Sequence, residues 1–273
     1  MIARRSLPRR ALTRRAFLAL SAALALGVDS RPANAEAENN PPALRVGLQV
    51  GHWQIADLPE DQARLRDQTG GSGGGYREVD VNLAVGQATA ALLTAPGVTV
   101  DLLPAAVPRG YHADAFVAIH CDASTDGGAH GYKLARYRDS LIGERDDLLI
   151  ASLSDSYGAA LGLPLDLAIT RAMTGYYAYN QRRYQSTIDP HTPAAIVELG
   201  FLTNAGDRAL LVGQRARIAE ALAVGVLRFL ERDARHARHW RRSTATSAPS
   251  CPDDQHSQHN PTVRAASSVP RAR

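Results

Sequence analysis

Apolar residues in this chain follow two rhythms. The run Leu44-Arg-Val-Gly-Leu-Gln-Val predicts a strand over 45–50, closed by Gly51-His52. Similar short apolar runs predict strands over 98–103, 116–120, 131–137 and 196–199. A second rhythm has helical spacing. Val81, Leu83, Ala84, Ala88, Ala91 and Leu92 predict a helix over 79–93, ended by Pro96-Gly97. Leu148, Leu149, Leu153 and Ala160 predict another over 146–162. Ile218, Leu222, Val226 and Phe229 predict a last helix over 218–229, and Asn204-Ala-Gly-Asp207 reads as a turn and helix N-cap before it. Strands alternating with helices give an α/β fold: a single three-layer domain, its sheet mainly parallel or mixed, with helices on both faces. The stretch 56–75 is polar and ends in Gly70-Gly-Ser-Gly-Gly-Gly75. It is expected to be an exposed, flexible loop, able to fold as a lid over whatever follows the first strand.

The ends differ from this pattern. Arg4, Arg5, Arg9 and Arg10 start the chain, and Thr13-Arg14-Arg15-Ala-Phe17-Leu18 resembles a twin-arginine export motif. An apolar run over 16–28 and the small-residue site Ala33-Asn34-Ala35 complete a signal peptide over 1–35. The run is too short to span a bilayer, which takes about 20 apolar residues. Export to the periplasm, cell wall or exterior is therefore expected, with no stable membrane insertion once the signal is cut. Residues 36–43 read as a linker and 44–233 as the folded domain. Residues 234–273 turn Arg-His-rich and then Ser-Thr-Pro-rich, and are expected to be a disordered tail in which His236, His239, His256 and His259 are solvated.

The formal net charge of +4 lies largely in these ends. The basic residues are nearly all arginine, a bias better read as genomic base composition than as attraction to anionic wall polymers or membrane surfaces, and no nucleic-acid partner is expected. Lys133 is the sole lysine. Cys121 and Cys251 suggest neither a disulfide framework nor a cysteine metal site. Side chains alternate along a strand, so Cys121 points away from any site that His120 faces.

Four polar residues stand where chemistry can be placed. His52 and His120 end predicted strands, Glu198 sits in the last one, and Glu78 opens the first helix. In open α/β sheets the ligand crevice lies outside the carboxyl ends of the strands. Two histidines and a carboxylate make a three-ligand zinc set with a fourth position open to water. The remaining glutamate then serves as proton shuttle. A lone histidine at a strand exit is more often simply hydrogen-bonded; two of them with a suitable glutamate change the balance.

The blocks around these residues are Val50-Gly51-His52, Glu78-Val-Asp-Val-Asn82-Leu83, Ala113-Asp114-Ala-Phe116-Val117-Ala-Ile119-His120 and Val197-Glu198-Leu-Gly200-Phe201-Leu202-Thr203-Asn204. In this order the chain resembles the zinc-dependent N-acetylmuramoyl-L-alanine amidases of the Amidase_3 type, from about residue 44 to 230. It departs from them at Trp53-Gln54, where glycines are usual, and at Cys121-Asp122-Ala123, where Ala-Asn-Ala is usual. The resemblance implies one Zn²⁺ held by His52, Glu78 and His120, with Glu198 catalytic. It implies peptidoglycan as the substrate and the amide between the muramoyl lactyl group and L-alanine as the bond cut.

Peptidoglycan carries carboxylates, so Arg171, Arg182 and Arg183 are candidate substrate anchors, interleaved with Tyr176, Tyr177, Tyr179 and Tyr184. Those tyrosines suit either substrate stacking or the core. Two other readings stay open: a zinc peptidase acting on stem peptides, and a non-catalytic peptidoglycan-binding protein. A regulatory partner is also open, as is a blocking role for the 146–162 helix.

Overall fold

The computed structural model describes residues 43–246. The expected export signal, and the expected linker through residue 42, lie outside them, as do the side chain of His239 and all of Cys251, His256 and His259. β1 (Arg45–Val50) forms on the first apolar run. The segment after it is more ordered than the glycines suggest. It makes 3-10 turns at Ile55–Asp57 and Glu60–Leu65, then a hairpin of β2 (Ser72–Gly73) and β3 (Tyr76–Arg77). Ile55, Leu58 and Leu65 bury themselves against Ala105 and Tyr184. These scattered apolar residues tie down what reads as a flexible loop, and its glycine-rich end is held in the hairpin.

α1 (Glu78–Thr94) starts at Glu78, whose N–H bonds the Gly71 carbonyl at 2.9 Å. Glu78 and Asp80 in its first turn suit the positive end of a helix. There follow β4 (Thr99–Leu103), β5 (Ala115–Asp122), β6 (Lys133–Ala135), α2 (Gly143–Leu161), α3 (Arg171–Thr174) and β7 (Ala194–Phe201). α4 (Ala205–Gly213) is capped by Asn204, whose side-chain oxygen accepts from the N–H groups of Gly206 and Asp207.

α5 (Arg215–Thr246) overturns part of the expected tail. Residues 234–246 continue the helix rather than leaving it. Arginine and alanine there are good helix formers. The preceding turn is pinned by Arg145, which donates to both Asp233 oxygens at 2.8 and 2.7 Å. Among the described residues no helix is long and apolar enough to cross a membrane.

The main sheet runs β4-β1-β5-β7-β6. Its first four strands are parallel, and β6 closes the edge antiparallel to β7. One face is covered by α1, α2 and α5. Val46, Leu48, Val117, Ile119 and Val197 meet Val85, Leu149, Leu153, Leu222, Val226 and Phe229 there. Each such side chain contributes about 1.5–3 kcal/mol by burial. α2 and α5 approach closely at Gly225, where a Cβ would meet the Leu153 Cα at 2.9 Å. The opposite face is thinner. Phe116, Ala118, Ala194 and Ile196 pack under Tyr111, Tyr137, Met173, Tyr176 and Tyr179, carried by loops, α3 and a 3-10 turn at Tyr177–Tyr179. His120 and Glu198 share this face, because they sit an even number of residues from Phe116 and Ala194.

Candidate metal centre and groove

β5 and β7 pair in register so that His120 lies beside Glu198 at the carboxyl ends of the strands. His52 follows β1 directly and adopts a left-handed backbone, φ 65°. That conformation costs a non-glycine residue roughly 1–3 kcal/mol and persists where surroundings enforce it. Glu78 enters from the first turn of α1. One ligand-type atom from each of His52, Glu78 and His120 lies within 4.8 Å of the others.

Glu78 Oε1 is the hub. His120 Nδ1 stands 2.9 Å from it and His52 Nε2 3.3 Å. The other nitrogen of each ring is already engaged: His52 Nδ1 lies 2.6 Å from the Gln68 carbonyl, and His120 Nε2 lies 2.9 Å from the Tyr176 hydroxyl. That hydroxyl donates in turn to Gln49 Oε1 at 2.9 Å. An imidazole held this way keeps one fixed tautomer and offers a lone pair on the other side, the arrangement expected of a metal-ligating histidine. Glu78 Oε2 accepts from the Gly71 N–H at 2.6 Å. Gly70, φ +88°, presses against both His52 and Glu78, and a Cβ there would come within 2.8–2.9 Å of them. The donor set, its tautomers and this side-chain-free cradle fit a small divalent cation.

The electrostatics are those of a buried cluster. Burial alone would raise the Glu78 carboxyl, but hydrogen bonds to His120 and His52 and their charge hold it far below the usual range. For His52 the burial penalty is outweighed by Glu78 and its pKa rises. For the more deeply buried His120 the penalty wins and its pKa falls. Burial pushes Glu198 well above an ordinary carboxyl, with the charges of Glu78 and Asp122 adding to it and Lys133 opposing. Part of the Glu198 side chain still meets the groove, but its Oε2 is sealed and without a partner.

Around this centre lies a groove of about 550 Å³, lined by His52, His120 and Glu198 and also by Arg64, Arg171, Tyr176, Arg183 and Tyr184. A pocket of about 30 Å³ beneath Tyr137 and Asp146 lies elsewhere and is too small for a polymer substrate. Arg171 and Arg183 thus face the groove. Arg182 does not; it turns away and pairs with Asp139 at 3.1 Å, since neighbouring loop residues project in different directions. Tyr176, Tyr179 and Tyr184 are buried, and Tyr177 is half-buried on the groove wall. No residue of α2 lines the groove, so α2 is not a plug over it.

Several site residues carried no motif. Gln49 is a polar residue inside an apolar strand, a signal that could have marked it. Gln68 acts through its backbone, which no side-chain pattern reveals. Lys133 is 5% exposed, pairs in register with Glu198, and places Nζ 2.6 Å from Asp122 and 3.4 Å from Asp166. Cys121 is buried in the helix-covered core, on the face away from the site.

A mostly parallel sheet with two imidazoles and two carboxylates gathered at its strand ends is an arrangement that could hold a metal ion for hydrolysis. The sequence profile described as N-acetylmuramoyl-L-alanine amidase, Amidase_3, matches residues 59–228, and the chain belongs to that family. It is accordingly a peptidoglycan amidase. Comparison with curated protein sequences gives no match. Among solved structures, the N-acetylmuramyl-L-alanine amidase Ami1 of Mycobacterium smegmatis has 20% identity and a TM-score of 0.51, over 69% of this chain and 97% of that one. The apo form of Ami1 from Mycobacterium abscessus has 21% identity and a TM-score of 0.51, over 68% of this chain and 98% of that one. These likenesses establish a shared fold.

Proposed function

We propose that His52, Glu78 and His120 hold a single zinc ion and that Glu198 moves the proton while the amide between N-acetylmuramic acid and L-alanine is cut. The observation that carries this reading is the paired geometry at Glu78. Both imidazoles turn one nitrogen toward the same oxygen, and each has its other nitrogen occupied. Borderline-soft zinc suits two nitrogens and an oxygen. When bound, such an ion polarises the scissile carbonyl and acidifies a water at its open position.

The chain's own residues do the rest. The water oxygen adds to the lactyl carbonyl carbon and the C–N bond breaks. The proton released passes through Glu198 to the alanine nitrogen, which departs as an amine. Glu198 takes up that proton where its side chain meets the groove, and the burial that raises its pKa lets it hold the proton until the amine needs it. Tyr176 and Gln49 keep the His120 ring from turning. Arg171 and Arg183 meet the anionic substrate along the groove.

The mature enzyme acts outside the cytoplasm, carried there by its twin-arginine segment; replacing Arg14 and Arg15 with lysine should retain the protein in the cytoplasm. The deciding experiment is digestion of purified peptidoglycan by the zinc-loaded protein, with and without a chelator, read by mass spectrometry. The expected products are stem peptides with a free L-alanine amine, lost on chelation, restored by zinc, and absent with Glu198→Ala. Cuts inside the stem peptide would make it a peptidase, and binding without cleavage would make it a wall-binding protein.

A further inference from the structure

The groove carries positive charge that the metal group and Glu198 leave unexplained. Arg64, Arg171 and Arg183 all line it, and none of them forms an ion pair among the described residues. Their neighbours behave differently. Arg66 pairs with Glu60 at 3.2 Å, and Arg182 pairs with Asp139 at 3.1 Å. Of these five arginines, the two that turn from the groove are neutralised and the three that face it are left open.

Tyr184 organises two of them. Its ring is buried among Ile55, Leu58 and Leu65. The Arg64 guanidinium carbon lies 5.6 Å from the ring centroid and that of Arg183 5.5 Å. Arg64 also donates to the Tyr184 hydroxyl. Each cation gains from the ring, yet two like charges sharing one ring repel unless an anion joins them.

The scaffold holding them is rigid. Asp61 accepts from the N–H groups of Gln185 and Ser186 at 2.7 and 3.0 Å and from the Ser186 hydroxyl at 2.9 Å. Gln62 Nε2 donates to the Ser186 carbonyl at 2.6 Å. The segment carrying Arg64 is thus stitched to the segment carrying Arg183. Asp61, the acidic residue between these two segments, is used up on the backbone and the serine rather than on either guanidinium.

We propose that Arg64 and Arg183, set on Tyr184 and joined by Arg171 on the same groove, form a carboxylate-recognition subsite for the peptide side of the substrate. The enzyme therefore selects stem peptides whose second residue has a free carboxylate over those in which it is amidated. Planar guanidinium forks match a carboxylate bidentately, and a carboxamide offers them neither the charge nor two acceptors. The second residue presents the first carboxylate beyond the bond that is cut. The identity of the substrate rests on the amidase reading; the charge of the subsite rests on the groove alone.

The test uses the zinc-loaded enzyme and two muramoyl-L-alanyl peptides that differ only in a free or amidated carboxylate on the second residue. Wild-type kcat/KM should favour the free acid by at least about tenfold, the scale of one charge-assisted hydrogen bond, and mainly through KM. Arg64→Gln combined with Arg183→Gln should bring the ratio close to one, with an unchanged circular-dichroism melt. Arg64→Lys with Arg183→Lys should restore part of it. Calorimetric titration of the released stem peptides, acid against amide, reads the same preference without turnover, so a failure of cleavage does not hide it. Equal wild-type preference for both peptides, or a preference that survives the double glutamine variant, would overturn the proposal.

Discussion

On one face of the sheet, α1, α2 and α5 seal aliphatic side chains against one another with little room to move. On the other, tyrosines and loop segments cover Phe116, Ala118 and Ile196, and the chain leaves a groove of about 550 Å³ with histidines, carboxylates and unpaired arginines in its walls. The same two strands serve both. Along β5 and β7, Val117, Ile119, Val197 and Leu199 face the helices, while His120 and Glu198 face the groove. Alternation along a strand lets stability and chemistry be written into one short run with little mutual interference. The helix side holds the strand ends still, and the tyrosine side holds the imidazoles.

This division is testable because changes on each face should move different measurements. The largest effect expected is that of Glu198→Ala: a fall in kcat of about 10²–10⁴, the usual contribution of a general acid–base group, with the thermal melt preserved. Leu153→Ala, on the helix side, should do the reverse. It should cost about 2–5 kcal/mol in a denaturant titration while activity per folded molecule stays the same. Tyr176→Phe tests the boundary. It removes the hydroxyl between His120 and Gln49 and should weaken zinc affinity by about 10–100-fold in a competition titration, with a smaller change in the melt. Gly225→Ala is the mildest, since α2 and α5 need only shift apart: roughly 1–3 kcal/mol of stability, again without effect on turnover. A Leu153→Ala protein that folds but turns over slowly would mean that the two faces are coupled through β5 and β7.

The two faces also differ in how well the chain announces them. Apolar rhythm predicts the strands, α1, α2 and the start of α5 within a few residues, because on the helix side burial and periodicity are the same signal. The groove side is only partly legible. His52, His120 and Glu198 stand out as polar residues in or just after apolar runs, and Glu78 as the residue that opens the first helix. The tyrosines do not declare whether they are core or surface, and Arg182 looks like Arg183 until the loop's direction is known. Gln68 contributes a carbonyl that every residue has. Residues 56–75 mislead because a few apolar anchors outweigh many glycines. In the tail, an arginine-rich sequence that reads as disordered continues as helix through Thr246, with Arg235, His236 and Arg238 still exposed.

Lys133 has a use beyond the groove. It is the chain's sole lysine, and it lies in a three-residue edge strand with its ammonium held by Asp122 and Asp166. A lysine-specific endoprotease therefore has one bond to cut, and that bond is out of reach until β6 leaves β7. Cleavage into two fragments becomes a direct clock for opening of the sheet edge beside Glu198.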